Sequence, residues 1–488
     1  MCGIAGLLDA RLPSTEVLQR FGSQMADALV HRCPDDGGVW VDASQGVVLA
    51  NRRLAIVGLG AQGHQPMSCA SGRWTVTFNG EIYNFAALAK ALAAEGVGLR
   101  GCSDTEALVE AVDHFGLLEA LERCEGMFAF AAWDAKLREL HLVRDRLGEK
   151  PLYFGWVGKR FAFASELKSL RRLPDFDAHL DRNAMALFLR YNCIPAPSTA
   201  YVGITKAFPG ELLTLRAGAR VGEEPVSRRY WNASEVVDRS RAELLALADE
   251  ELVERLRVTL SGAVADRMLA DVPLGAFLSG GVDSSLVVAL MQEHSATPVK
   301  TFTVGFADRA YDESGDAARV AAHIGTDHTT LDLSDREAME VVEELPYIWD
   351  EPFADSSQIP TLLVSRLARE HVTVVLSGDG GDELFGGYNR HLWLERLWRR
   401  SSFLPRGASR ALRAAALAVP PQVFESLERL EFAVPKSWRL RIPATKFAKA
   451  ARVIGAPDLE SAYATVVTHW EEPEIGRASC RERVLCVV

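Results

Sequence analysis

The chain has 488 residues, too many for one ordinary hydrophobic core and enough for two domains and a join. Apolar residues at 48% and charged residues at 24% exclude a disordered or fibrous chain. A net charge of −11 argues against nucleic acid as the main partner, because a phosphate backbone calls for a basic surface.

The N-terminus, Met1-Cys2-Gly3-Ile4-Ala5-Gly6-Leu7-Leu8-Asp9, has no basic region before its short apolar stretch, so no signal peptide is expected. No run approaches the roughly 18 uncharged apolar residues of a membrane span, and no membrane partner is expected. Eight cysteines show neither a CxxC pair nor zinc-like spacing with histidine. They read as mostly buried small hydrophobes in a reducing cytoplasm.

Residues 1 to about 205 are dense in short strand-like runs, among them Val47-Val48-Leu49-Ala50, Trp74-Thr75-Val76-Thr77-Phe78 and Leu140-His141-Leu142-Val143. Between them, residues 86–92 predict a helix closed by Gly96, and residues 105–111 one opened by Ser103 or Asp104 as N-cap. This half reads as stacked sheets with helices outside. Residues 206–242, rich in Gly, Pro and Arg and without periodicity, read as the join. From about 243, strand-like segments at 274–278, 300–304 and 372–376 alternate with helical stretches, the pattern of a parallel α/β sheet.

Cys2 carries the first chemical signal. With Met1 removed, it holds a thiol beside a free α-amine of reference pKa about 8, a nucleophile with its own base. One cysteine at position 2 is weak evidence by itself. Further along come Asn51-Arg52-Arg53-Leu54, Gly63-His64-Gln65-Pro66-Met67, Phe78-Asn79-Gly80-Glu81-Ile82-Tyr83-Asn84 and Gly101-Cys102-Ser103-Asp104-Thr105-Glu106. With Cys2-Gly3-Ile4, these motifs resemble the class-II glutamine amidotransferase domain. Later motifs narrow the resemblance to glutamine-hydrolysing asparagine synthetases and close relatives, over nearly the whole chain to about residue 470.

The resemblance implies that Cys2 attacks the glutamine carboxamide. Arg53 matches the arginine for the α-carboxylate, which a guanidinium can bind bidentately. Glu81 and Asp104 match the carboxylates that hold the α-ammonium. The Asn79 side chain and the Gly80 backbone N–H match the oxyanion donors, each worth about 3 kcal/mol. Taken alone, Asn-Gly is commonly only a hairpin turn. Two departures stand out. Cys33, in His31-Arg32-Cys33-Pro34-Asp35, replaces a glycine of relatives and is expected to strain that loop as a structural residue. Asn51 stands where relatives often have histidine. Residues 144–153 and 163–168 also match, and the Gly148-Glu149-Lys150-Pro151 turn is assigned to architecture.

In the second half, residues 273–290 contain Leu278-Ser279-Gly280-Gly281-Val282-Asp283-Ser284-Ser285, an apolar strand ending in a small-residue turn that opens a helix. Exposed N–H groups and the helix dipole make such a turn an anion site. It lacks the lysine of a Walker A loop and resembles the pyrophosphate loop of ATP pyrophosphatases. The resemblance implies that Leu278, Ser279, Gly280, Gly281, Asp283, Ser284, Val304, Ser377 and Gly378 bind ATP. It also implies Mg²⁺ at Asp283 and Asp382, consistent with the preference of Mg²⁺ for a few carboxylates plus phosphates, and acyl-adenylate formation at Asp379. Residues 350–361 lack the arginine that some relatives offer a substrate carboxylate.

The expected architecture is an N-terminal-nucleophile αββα sandwich over 1–205, a join over 206–242, and an α/β parallel-sheet ATP pyrophosphatase domain over 243–473. Residues 474–488 read as an artefactual tail on a truncated product. The expected activity is that of a ligase: ammonia from glutamine amidates an ATP-activated aspartate, giving asparagine, glutamate, AMP and pyrophosphate. A homodimer is the candidate assembly. Another carboxylate, such as a cell-surface sugar acid, is the alternative acceptor. A non-catalytic module retaining the fold is disfavoured by the intact Cys2, Asn79, Asp104 and phosphate-loop set.

Overall fold

A computed structural model of the chain describes residues 2–306, 312–419 and 444–470. The expected tail, 474–488, lies outside the described residues. The chain divides into two compact units, Met1–Met185 with Ile194–Ser377, and Ala186–Cys193 with Gly378–Val488.

The first unit opens with two six-stranded sheets. One has the order β10-β8-β9-β1-β3-β2 and the other β12-β11-β7-β6-β5-β4. Their strands are β1 (Gly3–Asp9), β2 (Asp36–Asp42), β3 (Val47–Arg53), β4 (Met67–Ser68), β5 (Trp74–Ile82), β6 (Gly126–Asp134), β7 (Glu139–Arg144), β8 (Tyr153–Val157), β9 (Arg160–Ala164), β10 (Ile204–Lys206), β11 (Glu211–Arg216) and β12 (Val226–Arg229). Alternation along each strand assigns its two faces. Ile4 and Leu8 of β1 join Ala129, Ala131 and Trp133 of β6 in a core between the sheets. Ala5 and Leu7 of β1 pack instead with Leu18, Phe21 and Met25 of the outer helix Thr15–Asp27. Phe128 and Phe130 of β6 turn to the helix Asp104–Phe115, which buries Leu108 and Val112. Burying each such Leu, Ile or Phe stabilises by about 1.5–3 kcal/mol. A one-residue slip of β6 would exchange the phenylalanines with Trp133 across the sheet, so the register is strongly specified. The layers are helix, sheet, sheet, helix.

Residues 206–242 depart from the expected irregular join. β11 and β12 extend the second sheet, β11 pairing with β7 at Leu212↔Val143. Leu212 belongs to the outer core and Leu213 and Leu215 to the inner one. Both faces of β11 are covered, so its sequence lacks the polar–apolar alternation that marks a half-exposed strand.

A second sheet system follows, of β13 (Leu274–Phe277), β14 (Lys300–Phe306), β15 (Asp327–Leu333) and β16 (Val374–Leu376). Its order is β15-β14-β13-β16, with every pairing parallel. Ala276 packs on one face with Val288 and Met291 of the helix Val282–His294. Phe277 and Phe302 pack on the other with Val364 and Ala368 of the helix Gln358–Arg369. From β13 the chain moves outward through β14 and β15, then returns to the opposite side of β13 at β16. The strand order therefore reverses between β13 and β16, the place where open α/β sheets bind ligands.

The described residues of the other unit form helices. Leu394 of the helix Asn389–Ser402 packs with Val453, Ala462 and Val466.

Candidate functional site

Cys2 immediately precedes β1 and is buried. The backbone N–H of Leu54, one residue beyond β3, donates to its Sγ at 3.4 Å, and the Leu54 carbonyl accepts from it at 3.6 Å. Arg32 Nε donates to the Cys2 carbonyl at 3.1 Å. A hydrogen bond from the Cys33 side chain draws the Cys2 thiol below its ordinary pKa against the opposing effect of burial, and the Leu54 N–H acts in the same direction. Cys33 is thus a partner of Cys2. The expected strain is absent: among the described residues, those other than glycine with positive φ are Leu12, Arg138 and Asn192. Cys33 lies outside the left-handed region, so its Cβ is accommodated there.

Around Cys2 lies a pocket that also collects Arg53, Asn79, Gly80, Glu81 and Asp104. Asn79 and Gly80 stand inside β5, paired with Ala129 and Phe128, rather than in a hairpin turn. Gly80 is required by close approach, since a Cβ there would lie 2.2 Å from the Met127 carbonyl oxygen. Asn79 is fully buried, and its Nδ2 donates to Ser165 Oγ at 3.4 Å. The same Oγ accepts from the Ile4 N–H at 3.0 Å, tying the amide to the strand that carries Cys2. Arg53 donates to the carbonyls of Val57 at 3.0 Å and Gly58 at 2.6 Å, folding residues 54–60 about its guanidinium. Gly63 permits this, because a Cβ there would come 2.0 Å from Nη2.

Asp104 opens its helix behind the cap Ser103, whose side chain accepts from Glu106 N–H. Its carboxylate accepts from Ile82 N–H at 3.1 Å and Thr105 N–H at 2.7 Å. Burial nevertheless raises its pKa. Burial, followed by the charge of Asp104, pushes Glu81 up to about 7, against Lys150 and Arg267. The pocket therefore places a guanidinium and two carboxylates around a thiol, the complement of an amino acid zwitterion.

Several contributors were not assigned from sequence. Lys150, read as part of an architectural turn, lines this pocket. The rest of that turn is architectural: Arg144 donates to the carbonyls of Lys150 at 2.9 Å and Gly148 at 2.6 Å. Ser165 and Arg32 lie in quoted motifs, and motif membership was their only signal. Asn51 donates to Gln65 Oε1 at 3.1 Å, and Gln65 Nε2 donates to Thr105 Oγ1 at 3.2 Å, so the departure at 51 is a support behind Asp104.

In the second sheet system the phosphate-type loop follows β13. Ser279 N–H donates to Ser284 Oγ at 3.3 Å, the two hydroxyls lie 3.0 Å apart, and Gly281 N–H donates to Ser279 Oγ at 3.3 Å. Gly280 has φ of +78°, and a Cβ there would lie 2.8 Å from Ala317 N, so only glycine fits. Asp283 lies in the first turn of the helix Val282–His294. The Leu278 side chain is buried in the core. Val304 is half-buried on β14, and Ser377 follows β16. These residues stand at the C-terminal ends of adjacent parallel strands. Gly378, Asp379 and Asp382 belong to the helical unit, with Asp382 in the short helix Gly381–Phe385. Among the described residues no three His, Cys, Asp or Glu side chains form a metal-binding group. No described helix is long and apolar enough to cross a membrane.

The segment read as an acceptor-site candidate does other work at its start. Asp350 Oδ2 accepts from Lys168 N–H at 2.9 Å, and Glu351 accepts from Ala200 N–H at 2.8 Å and pairs with Lys206 at 2.5 Å.

A family model described as a glutamine amidotransferase domain matches residues 1–231, and one described as asparagine synthase matches residues 255–480. Glutamine-hydrolysing asparagine synthetase 1 of Bacillus subtilis is 34% identical over 422 residues, covering 86% of this chain and 64% of that protein. Its counterpart 2 in Methanocaldococcus jannaschii is 34% identical, covering 80% of this chain and 76% of that protein. One from Mycobacterium tuberculosis H37Rv is 37% identical, covering 80% and 60%. The chain therefore spans less than two thirds of the length of the B. subtilis and M. tuberculosis proteins.

Proposed function

The chain belongs to the glutamine-hydrolysing asparagine synthetase family, and from that premise we propose that it hydrolyses glutamine at Cys2 and delivers the ammonia to an ATP-activated aspartate. The observation that carries this reading is the convergence of Cys2, Arg53, Asn79, Gly80, Glu81 and Asp104 on one buried pocket.

In the proposed reaction Arg53 takes the glutamine α-carboxylate, and Glu81 and Asp104 take its α-ammonium. The Cys2 sulfur attacks the carboxamide carbon, with the α-amine freed by loss of Met1 accepting the thiol proton. The Asn79 Nδ2 and Gly80 N–H receive the oxyanion, for which a buried, pre-oriented donor is more effective than water. The proton held by the α-amine passes to the amide nitrogen, which leaves as ammonia, and water then releases glutamate from the thioester and restores the thiol. Ammonia is mostly protonated near pH 7 and then not nucleophilic, which favours internal transfer.

At the second sheet the first N–H groups of the helix Val282–His294 and its positive end, opened by the loop 279–281, receive the ATP phosphates. The aspartate β-carboxylate attacks the α-phosphorus and expels pyrophosphate, and ammonia then displaces AMP to give asparagine. Asp379 takes the acidic role in forming the acyl-adenylate. Asp283 offers a hard carboxylate oxygen beside the phosphate loop, which suits Mg²⁺; Asp283 and, by the family resemblance, Asp382 would hold that ion, and the ion would neutralise phosphate charge.

Pyrophosphate release from ATP·Mg²⁺ and aspartate, with glutamine or ammonium as nitrogen source, tests the reading. The expected result is aspartate-dependent release with both sources and, in Cys2→Ala, loss of the glutamine-supported activity alone. Release that ignores aspartate, or a Cys2→Ala variant that still uses glutamine, would refute it.

A further inference from the structure

The glutamine pocket is held from outside by residues beyond the amidotransferase match, which ends at residue 231. Beside Arg53, its lining includes Leu54, Ile56 and Val57 of the loop 54–60. Arg53 folds this loop from within, and Leu54 of the same loop touches Cys2 Sγ through both its N–H and its carbonyl. From outside, Asp271 grips the loop at two points. Its backbone N–H donates to the Ile56 carbonyl at 2.9 Å, and its Oδ2 accepts from the Gly58 N–H at 2.8 Å. Ile56 itself lines the pocket.

Four residues earlier, at the end of the helix Asp249–Arg267, the Arg267 guanidinium lies over the Tyr83 ring, 4.2 Å from its centroid. Tyr83 directly follows β5, which carries Asn79, Gly80 and Glu81. Residues 267–271 therefore touch both sides of the site: Tyr83, next to the strand that carries Asn79, Gly80 and Glu81, and the loop that Arg53 folds.

We propose that Asp271 is a positioning residue for glutamine, holding loop 54–60 so that Arg53 and Leu54 are set for substrate and nucleophile. This rests on the reading of the pocket as a glutaminase site. Asp271 touches no reacting atom. Its carboxylate accepts from a buried glycine whose φ of +65° gives the loop its turn. Without that acceptor only the backbone bond to Ile56 holds the loop from outside, the turn at Gly58 is released, and the guanidinium held by the Val57 and Gly58 carbonyls loses its fixed direction. Bound glutamine would then have to order the loop, which weakens binding while leaving the chemistry of bound substrate intact.

The test uses the full chain and two variants, Asp271→Ala and Asp271→Asn. Asparagine keeps an oxygen that can accept from Gly58, and alanine does not. Glutamate formation from glutamine should show KM raised roughly ten-fold in Asp271→Ala, the scale of one lost charge-assisted hydrogen bond, with kcat within about two-fold. Asp271→Asn should recover most of the loss. Hydrogen–deuterium exchange over residues 54–60, which needs no turnover, should accelerate in Asp271→Ala and stay near the parent rate in Asp271→Asn. An unchanged KM, a fall confined to kcat, or unaltered exchange of the loop would overturn the proposal. If the parent chain forms no glutamate, the glutaminase reading itself fails, while the exchange experiment still reports whether Asp271 anchors the loop.

Discussion

Glu81 and Asp104 put two carboxylates into one buried pocket, and burial together with their mutual repulsion holds Glu81 at about 7. The sign of the consequence follows. Below that value Glu81 carries a proton and cannot ion-pair with the glutamine ammonium, so the KM for glutamine should rise as pH falls, approaching ten-fold per unit well below about 7. Glu81→Gln should raise KM and flatten its dependence; a parent KM independent of pH between about 6 and 8 would contradict the assignment. Cys33 acts at the same scale. Its hydrogen bond lowers the Cys2 thiol pKa, and the thiolate is the reactive form. Cys33→Gly should therefore slow alkylation of Cys2 by iodoacetamide several-fold near neutral pH, with the difference vanishing at high pH. Equal rates at neutral pH would mean that Cys33 merely fills space. The sequence identified Cys33 as a departure. What it touches depends on a tertiary approach between residue 33 and residue 2.

At the scale of elements, the motifs containing His31-Arg32 and Ser165-Glu166-Leu167-Lys168 form one buttress. Glu166 pairs with His31 at 2.9 Å, Arg32 at 2.5 Å and Lys168 at 2.9 Å. Burial alone would raise its carboxyl, but these partners outweigh it and hold Glu166 at about 2. Its folded pKa is below the ordinary 4.5, so the stabilisation is full above about 4.5 and is lost as pH falls toward about 2. Glu166→Gln leaves the surrounding cations without their buried counter-charge and should cost about 3 kcal/mol at neutral pH. Urea unfolding at pH 7 and pH 3 measures this; the gap between parent and variant should narrow at the lower pH. Arg32 also donates to the Cys2 carbonyl, so the variant should lose glutaminase activity along with stability. The two motifs were legible as matching stretches, yet their pairing was not, because 134 residues separate Arg32 from Glu166 and neither local periodicity nor propensity reports a contact across that distance.

Across the whole molecule, the apolar clusters of the paired sheets and those of the parallel sheet share no residue among those described. Polar links join the regions: Asp271 to residues 56 and 58, Lys168 to Asp350, and Glu351 to Lys206. Separate cores joined by polar links unfold as separate cooperative blocks. Calorimetry should give a van't Hoff enthalpy below the calorimetric one, and ATP·Mg²⁺ should raise the transition of the parallel-sheet region more than that of the sandwich. A single two-state transition that shifts as a whole would count against this division. By itself the sequence picked out Cys2, Arg53, Asn79, Gly80, Glu81 and Asp104, which the fold gathers around one pocket, and the small-residue turn after β13, because reaction chemistry constrains residue type and short spacing. It also determined the strands at 47–50, 74–78 and 140–143 and a helix start at Ser103 or Asp104, where local pattern and propensity agree with the fold; the structure makes Ser103 the cap. The tertiary structure alone decided that residues 211–216 form a strand, that Lys150 enters the pocket, that Cys33 meets Cys2 and that Asp271 grips the loop of Arg53. Each of these depends on which distant surface covers a residue, and that is settled only when the layers pack.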